Sequence, residues 1–384
     1  MLNIAIIGTG NISPAHIEGY LRFPERCRIV ALCDIYPEKA EAKKAQYGLT
    51  DAKVFDSHEK MLIECPEIDL VSVCTPPFTH AELAINCLHA GKNVVVEKPM
   101  ASSLEECDRM LEAERESGKM LAVIAQNRFT DPYWRLKKVL DSGIVGRVLH
   151  AQIDSYWWRG HCYYDLWWRG AWSTEGGGCT LNHAVHHIDM LGWMLGTPEK
   201  VTAVLSNAAH DNAEVEDVSI AAMQYAGGTV AQVTSSVIHH GEEQQVVMQC
   251  ERAKVSAPWS TYASTSRQNG FPIRNTELEE ELNALEASIP PLPYTGHTAE
   301  LDDVMRAVET GGRPFIDGVS GRRTIEIITS IYKSGFEART VELPLGKDDP
   351  YYTTEGIMKN VRHFYDKTTS VKNFTDGEIT VGGR

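Results

Sequence analysis

The stretch from residue 4 to residue 13 reads Ile4-Ala5-Ile6-Ile7-Gly8-Thr9-Gly10-Asn11-Ile12-Ser13. Its apolar run predicts a buried β-strand, and the two glycines predict a tight turn into a helix. Gly8 allows the turn, and Gly10 lets the backbone approach a pyrophosphate, which the N–H groups of a helix N-terminus can bind. We therefore predict a dinucleotide site formed by Gly8, Gly10, Asn11 and Ile12. A glycine-rich turn without a ligand is the alternative.

The segments that follow alternate between short β-branched runs and helical patterns. Such alternation is typical of βαβ units, and near-continuous apolar runs are typical of parallel strands that are covered on both faces. We predict an α/β domain with a doubly wound parallel sheet over residues 1–124. The apolar runs are residues 4–8, 28–34, 69–74, 93–97 and 121–125.

Beyond residue 125 the pattern changes to longer strands. The turn Ala226-Gly227-Gly228-Thr229 between two of them predicts a hairpin. We predict an α+β domain with a mainly antiparallel sheet over residues 125–345. Residues 346–384 are polar, and we expect them to pack on the surface or on a partner subunit. The predicted strands are residues 147–156, 200–208, 219–226, 229–238 and 244–249.

Composition excludes several classes of function. The 384 residues include 37 basic and 52 acidic side chains, a net charge of −15 that argues against nucleic acid or an anionic membrane as the partner. No apolar run approaches the length of a membrane helix, and the opening residues do not resemble a signal peptide. The nine cysteines contain no C-x-x-C pair, which predicts free thiols in a reducing cytoplasm and no metal site.

Asp34 ends the second apolar run, 24 residues after Gly10. An acidic side chain at this place can accept hydrogen bonds from the ribose hydroxyls of NAD and would repel the 2′-phosphate of NADP. We therefore predict NAD, with NADP disfavoured; the residue could also cap the next helix. Thr75 and Pro76 follow another strand at the position where the chain passes a bound dinucleotide, although a plain turn is equally consistent with the pattern.

The tripeptide Glu97-Lys98-Pro99 follows the apolar run of residues 93–96. Open α/β sheets bind ligands beyond the carboxyl ends of their strands, so Lys98 is predicted to face the nicotinamide region. A surface lysine before a proline is the alternative.

A second candidate segment runs from Gly176-Gly177-Gly178 to Asp189 and is predicted to be one helix after the glycines. Asn182 and His186 share a polar stripe of this helix. His183 and His187 have the i, i+4 spacing of zinc ligands. However, Ala184 stands where the zinc motif has Glu, and we expect no metal.

Aromatic residues are concentrated just before this helix, with five of the eight tryptophans between residues 157 and 172. Flat rings stack on the C–H faces of sugars, and arginine side chains bind hydroxyl groups. We predict substrate contacts here, with an aromatic oligomer interface as the equal alternative. The predicted residues are Trp157, Arg159, Tyr163, Tyr164, Arg169 and Trp172.

Together these features resemble the Gfo/Idh/MocA family of nicotinamide-dependent oxidoreductases, over roughly residues 1–345. The resemblance implies an N-terminal Rossmann domain and an open-faced C-terminal sheet that forms the substrate floor and often the oligomer contact. It implies that Lys98 and His186 are catalytic, and we predict Asn182 as a third catalytic residue. Many members carry Asp where this chain has Asn182, and an Asn cannot relay a proton but can orient a hydroxyl group. The predicted cofactor-binding residues also include His80, Glu97 and Lys98. The predicted substrate-binding residues also include Lys98, Arg128, Asn182, His183 and His186.

The sequence therefore predicts an NAD-dependent dehydrogenase that acts on a secondary alcohol of a sugar or cyclitol. The expected partners are this small molecule and a second copy of the chain, in a homodimer or homotetramer through the C-terminal sheet. Two alternatives remain: a glycoside hydrolase that oxidises its substrate transiently with tightly held NAD, and a non-catalytic sensor of NAD or sugar.

Overall fold

A computed structural model describes residues 1–372 of the chain. Spatial contacts divide the chain into two compact units. The first unit comprises residues 1–129, 293–325 and 350–357. Of the described residues, the second unit comprises 130–292, 326–349 and 358–372. The part of the predicted tail beyond residue 372 lies outside the described residues.

Strands and helices alternate along the first part of the chain, as the sequence pattern predicts. The elements are β1 (Leu2–Ile7), α1 (Ser13–Leu21), β2 (Cys27–Cys33), α2 (Pro37–Gln46), β3 (Lys53–Phe55), α3 (His58–Glu64), β4 (Leu70–Val73), α4 (His80–His89), β5 (Asn93–Val96), α5 (Leu104–Ser117) and β6 (Leu121–Val123).

These strands form one parallel sheet in the order β3-β2-β1-β4-β5-β6. This is the doubly wound order of a Rossmann domain, so the predicted fold class is confirmed for this part of the chain. The central strand β1 pairs with β2 on one side and with β4 on the other. Its residues Ile4 and Ile6 are fully buried, because helices cover both faces of the sheet.

A helix from much later in the sequence completes the first unit. This helix, Gly296–Thr310, packs on α1 and adds Leu301, Val304 and Met305 to the core that contains Ile17 and Tyr20. The division by contacts thus differs from the linear boundary at residue 125, because residues 293–325 return to the first unit. A periodicity read along the chain identifies such a helix but not the core on which it packs.

The remaining elements follow in chain order. The five predicted strands are confirmed, and three further strands between residues 253 and 274 are not predicted. The elements are α6 (Asp131–Asp141), β7 (Val148–Tyr156), α7 (Trp172–Glu175), α8 (Cys179–Asn182), α9 (Val185–Leu195), β8 (Lys200–Ser206), β9 (Val218–Gln224), β10 (Val230–Ser236), β11 (Gln244–Cys250), β12 (Ala253–Ala257), β13 (Ser260–Ser266), β14 (Pro272–Arg274), α10 (Thr276–Ser288), α11 (Gly296–Thr310), α12 (Gly318–Glu337), β15 (Val341–Glu342) and α13 (Thr354–Asn360).

The second unit contains a sheet with the order β14-β13-β12-β11-β7-β10-β9-β8-β15. The pairings are antiparallel except for β10 with β7, so the predicted mainly antiparallel sheet is confirmed. The predicted hairpin joins β9 to β10.

One face of this sheet packs against helices and the other is open. Met223 and Val233 on the inner face are buried, and α6, α8 and α10 pack on strands of the sheet. On the outer face, Val204 of β8 pairs with Ile220 of β9, and these two side chains are 70% and 57% exposed. Apolar side chains on an open sheet face are typical of an interface.

The predicted single helix after the glycine triplet is wrong, because the structure divides it into α8 and α9. The N–H of Ala184 bonds to the carbonyl of Cys179, five residues earlier, and Ala184 is the N-cap of α9. The 3.6-residue periodicity continues across this break because Leu181, Val185 and Ile188 all face the core.

Among the helices of the described chain, none combines the length and the hydropathy that crossing a membrane would require.

The glycine turn after β1 gives a first testable prediction. Gly8 has a φ of +90°, and a Cβ built on it would lie 2.7 Å from the carbonyl oxygen of Cys74. A Cβ on Gly10 would meet no atom of the described chain within 4 Å. We expect Gly8→Ala to lower the free energy of unfolding by about 1–3 kcal/mol. We expect Gly10→Ala to change it by less than about 0.5 kcal/mol.

Urea unfolding of the two ligand-free variants measures this difference, with Gly10→Ala as the matched control. Equal losses in the two variants would contradict the close approach of Cys74 to Gly8.

Candidate active site

The turn between β1 and α1 is held in place by Asp34. Thr9 donates its backbone N–H and its hydroxyl to Oδ2 of Asp34, both at 2.8 Å, and the N–H of Tyr36 donates to Oδ1 at 2.9 Å. The carboxylate that the sequence assigns to a ribose is therefore oriented by the glycine turn and by the start of α2. Its oxygens have further lone pairs that can accept hydrogen bonds from hydroxyl groups.

The start of α1 fits the pyrophosphate of a dinucleotide. Ile12 occupies the N-cap position, and its apolar side chain cannot bond to the N–H groups of the first turn. Ser13 and Ala15 donate their N–H groups to the carbonyls of Gly10 and Ile12, and Pro14 has none. The positive end of the helix dipole is therefore what favours an anion here. The space next to Gly10 would accommodate the approach of a phosphate, and Ser13 bonds to the carbonyl of Gly10 rather than occupying that space.

The predicted cofactor residues Thr75, Pro76 and His80 lie after β4. The ring of His80 is fully buried, and its two nitrogens lie 2.8 Å from the carbonyl oxygens of Thr75 and Pro99. Burial lowers the pKa of His80, although both carbonyls act in the opposite direction. His80 thus ties the turn after β4 to the turn after β5. Its predicted contact with the cofactor stays a prediction.

The Glu97-Lys98-Pro99 turn follows β5, with a cis peptide bond before Pro99. The Glu97 side chain is buried and points into the first unit. There its Oε1 lies 3.0 Å from Nε2 of His16 and 2.9 Å from Nε2 of His297. His16 is not predicted as a site residue, because a histidine on the buried face of a helix gives no sequence signal. The contact of Glu97 with the cofactor likewise stays a prediction.

In the second unit, Glu216 lies against the end of the glycine triplet. A Cβ on Gly178 would lie 1.9 Å from the carbonyl oxygen of Glu216, so only glycine fits. The Glu216 carboxylate accepts from the N–H of Gly178, the N–H of Thr180 and the hydroxyl of Tyr332, each at 3.0 Å. Burial raises the pKa of Glu216 to about 7, although these N–H groups lower it. The start of the segment that carries His186 is therefore fixed by a buried carboxyl group.

Asn182 and His186 lie on either side of the break between α8 and α9. The side-chain N–H₂ of Asn182 donates to the carbonyl of Gly177 at 2.8 Å, which fixes the orientation of the amide. His186 is in the first turn of α9 and is half-buried. Both are predicted catalytic residues, and one short segment of the second unit carries them.

The aromatic segment before α7 contacts His183. The hydroxyl of Tyr163 lies 3.3 Å from Nε2 of His183. The guanidinium groups of Arg159 and Arg169 lie 5.6 Å and 4.2 Å from the centre of the Tyr163 ring. Each arginine has a carboxylate partner: Glu242 pairs with Arg159, and buried Glu175 pairs with Arg169 at 2.7 Å. The structure thus brings together four of the predicted substrate-binding residues in the second unit.

Other predicted substrate residues are packed inside the protein. Tyr164 and Trp172 are 1% and 2% exposed, and the ring of Trp172 packs on Tyr332. Trp157 is 8% exposed and packs beside His183. Arg128 belongs to the first unit and is 3% exposed. Substrate contacts by these residues stay predictions, since the faces of their side chains contact other protein groups.

The two histidines at zinc-ligand spacing point to different tyrosines. His183 contacts Tyr163, whereas Nε2 of His187 lies 3.4 Å from the hydroxyl of Tyr133. Burial lowers the pKa of His187 to about 4.

Each unit, taken by itself, carries groups that suit hydride chemistry on an alcohol. The first unit combines an anion-binding turn after β1 with a lysine, Lys98, that comes two residues after the end of β5 in the same sheet. The second unit presents an imidazole and an amide beside a cluster of aromatic and guanidinium groups. A proton acceptor, a cation and hydrogen-bonding groups are the protein contributions that oxidation of an alcohol needs.

Comparison with known proteins identifies both parts of the chain. Residues 2–125 match the model of an oxidoreductase family with an NAD-binding Rossmann fold. Residues 133–256 match the model of the Gfo/Idh/MocA C-terminal domain. The N-terminal part of the chain is thus an NAD-binding Rossmann domain.

Three relatives illustrate the similarity. Myo-inositol 2-dehydrogenase of Thermotoga maritima is 25% identical over 347 residues, which are 89% of this chain and 98% of that enzyme. Inositol 2-dehydrogenase of Burkholderia lata is 31% identical over 231 residues, 59% of this chain and 65% of that enzyme. The crystal structure of the WlbA dehydrogenase from Bordetella pertussis with NADH and UDP-GlcNAcA has a TM-score of 0.77 and 28% identity, covering 90% and 98% of the two chains.

The buried His187 gives a prediction about acid stability. Between its ordinary pKa of 6.5 and its folded pKa of about 4, the unfolded chain binds a proton that the folded chain does not. Acidification through this range therefore destabilises the folded state. We expect the free energy of unfolding to fall by about 2 kcal/mol more in the wild type than in His187→Gln between pH 7 and pH 5.

Urea unfolding at the two pH values measures the difference. Because Glu216 and other groups titrate equally in both proteins, the comparison isolates His187. Parallel pH dependences of the two proteins would refute the prediction.

Proposed function

Because the chain belongs to the Gfo/Idh/MocA family of oxidoreductases, we propose that it oxidises a secondary alcohol of a sugar or cyclitol. Bound NAD would supply the hydride acceptor. The substrate class rests on the dehydrogenases described above and on the neutral, aromatic-rich surroundings of His183. Those relatives favour neither net glycoside cleavage nor a non-catalytic sensor.

One observation carries this proposal: the anion-binding turn and Lys98 both follow strands of the same parallel sheet. Gly8 follows β1 and Lys98 follows β5, with β4 between these two strands. Since the carboxyl ends of parallel strands share one edge, a dinucleotide bound at Gly8 and Gly10 can extend along that edge toward Lys98.

In the proposed reaction, four residues of the chain have different roles. His186 accepts the hydroxyl proton, because an imidazole is a better proton acceptor near neutral pH than an alkylammonium group. The ammonium group of Lys98 stabilises the negative charge that develops on the same oxygen. Asn182 orients a substrate hydroxyl and carries no proton. Asp34 accepts hydrogen bonds from the ribose hydroxyls and would repel a 2′-phosphate, which favours NAD over NADP.

We also infer that two or four copies assemble through the open face of the second sheet. The support is the exposed apolar pair Val204 and Ile220 together with Val230, which lies on the same face.

A reducing cytoplasm is the proposed compartment, because the nine cysteines, located between Cys27 and Cys250, are all free thiols.

Two alanine variants test the chemistry. We expect His186→Ala to lower kcat by about 10²–10⁴-fold through loss of the proton acceptor. We expect Lys98→Ala to lower kcat by about 10²–10³-fold through loss of the cation. The assay is NAD reduction with inositols, anhydrosugars, hexoses and glycosides, and the dissociation constant of NADH is measured by fluorescence in parallel.

His187→Gln, one residue further along α9, is the control and should retain turnover at neutral pH. Near-wild-type turnover in both alanine variants would show that the site is assigned to the wrong residues. Cleavage of a glycoside without added NAD would show that the reaction is the transient-oxidation alternative.

The open sheet face gives a prediction about assembly. We expect the wild type to be a dimer or tetramer and Ile220→Glu to dissociate it, because a buried unpaired carboxylate is costly at an interface. Light scattering coupled to size-exclusion chromatography measures the mass. Ile63→Glu is the control, since Ile63 is 78% exposed in the first unit. A monomeric wild type, or equal effects of the two substitutions, would refute the interface.

A further inference from the structure

Glu97 lies at the centre of a buried hydrogen-bond network. Its side chain is 4% exposed. Its Oε1 accepts from Nε2 of His16 at 3.0 Å and from Nε2 of His297 at 2.9 Å, and its Oε2 accepts from the backbone N–H of Lys98 at 3.1 Å. The carboxylate is therefore the direct link between two histidines and the backbone of the predicted catalytic lysine.

Hydrogen bonding continues from His16 into the core. Its Nδ1 lies 3.2 Å from the hydroxyl of Ser72, which lies 2.7 Å from the hydroxyl of Tyr20. A carboxylate can only accept hydrogen bonds. Nε2 of His16 therefore carries the ring proton and donates a hydrogen bond to Glu97. In a neutral ring Nδ1 then accepts from Ser72, which in turn accepts from Tyr20. Each group in this series from Glu97 to Tyr20 therefore has a hydrogen-bond partner of the required kind.

The network keeps a charge inside the protein. Burial alone would raise the pKa of Glu97, but the hydrogen bonds from His16 and His297 outweigh it and hold the pKa well below its ordinary value. Burial also lowers the pKa of His16, which favours the neutral ring. An ionised carboxylate away from water is stable only when donors surround it, so both histidines are needed for Glu97 to remain charged.

The donors come from elements that are distant in sequence. His16 is on α1, the helix that begins at the glycine turn, and His297 is in the first turn of α11. On the other side of the turn, His80 contacts the carbonyl of Pro99. The backbone around Lys98 is thus attached to three helices of the first unit.

We propose that His16 and His297 are positioning residues for Lys98, acting through the carboxylate of Glu97. The proposal rests on the proposed dehydrogenase function. Without one imidazole, Glu97 must take up a proton or admit water, and either change weakens its hold on the Lys98 N–H. The turn then loses its fixed geometry, whereas the dinucleotide turn at Gly8 and Gly10 keeps its contacts. Turnover should therefore fall much more than affinity for NADH.

The first experiment uses His297, because it is on α11 and not on α1, the helix that begins at the glycine turn. We expect His297→Leu to lower kcat by about 10- to 100-fold, since small displacements of a catalytic group have effects of this size. The dissociation constant of NADH should change much less. His297→Gln keeps an N–H donor of similar reach and should restore most of the turnover. Val304→Ala removes core packing from the same helix without removing a donor and is the matched control.

A double-substitution cycle tests whether His297 acts through Glu97. Glu97→Gln keeps the shape of the side chain but removes the charge that the imidazoles require. If both residues act through one network, His297→Leu combined with Glu97→Gln will lose no more turnover than Glu97→Gln alone. Independent effects would multiply in the double variant, and that result would overturn the proposal.

Hydrogen exchange of the Lys98 amide gives a measurement that needs no activity. Its bond to Glu97 should slow exchange in the ligand-free wild type, and His297→Leu should accelerate it relative to Val304→Ala. An unchanged exchange rate, or a loss of turnover no larger than in Val304→Ala at equal melting temperature, would overturn the proposal.

Stoichiometric zinc in the purified protein would also overturn the proposal, because a metal ion would replace the N–H protons that His16 and His297 donate to Glu97. A wild type without dehydrogenase activity would instead reject the proposed function, and the exchange rates would still decide whether the network holds the turn.

Discussion

The parallel pairing of β1, β2, β4 and β5 is the constraint on which the candidate site depends. Because parallel strands end at one edge of their sheet, the residues that follow them are gathered there whatever their distance in sequence. Gly8, Asp34, Thr75 and Glu97 each lie within two residues of a strand end. Thr9 bonding to Asp34, and His80 joining the turns of Thr75 and Pro99, then lock neighbouring turns together. The sheet supplies proximity, and these polar contacts supply orientation.

Buried carboxylates organise both units in a similar way. Glu97 collects two imidazole N–H groups and a backbone N–H in the first unit. Glu216 collects two backbone N–H groups and a tyrosine hydroxyl in the second unit. Such groups are costly to bury unless every oxygen is satisfied, so each fixes the conformation of the segment that supplies its donors. Those segments carry Lys98 in one case, and Asn182 and His186 in the other. Rigid support of this kind is what a site for group transfer requires.

The sequence predicts those parts of the molecule that local patterns encode. Alternation of apolar runs and helices indicates the parallel sheet. Strands β7 to β11 of the second sheet are predicted to within about two residues, a usual precision for boundaries, whereas β12, β13 and β14 are not predicted. Three features depend on contacts between distant segments and are not encoded locally. The helix break after Asn182 preserves the apolar period, α11 returns to the core of the first unit, and His16 becomes important only because β5 brings Glu97 beside it. The burial of Tyr164 and Trp172 is of the same kind, since ring stacking on a ligand and ring packing in a core use the same residues.

The charge balance around Tyr163 bears on the kind of substrate that the second unit can accept. Two guanidinium groups beside an aromatic ring would attract an anion, but Arg159 pairs with Glu242 and Arg169 pairs with Glu175. Each positive charge is therefore compensated within the protein, and a carboxylated ligand would have to compete with these carboxylates for its partner. A neutral ring with several hydroxyl groups meets no such competition. Its C–H faces suit the aromatic surroundings, and its hydroxyl groups can bond to Tyr163 and to the imidazole of His183, which already contact each other at 3.3 Å. The paired charges thus support the proposed neutral polyol over a sugar acid, with Tyr163 and His183 as its predicted contacts.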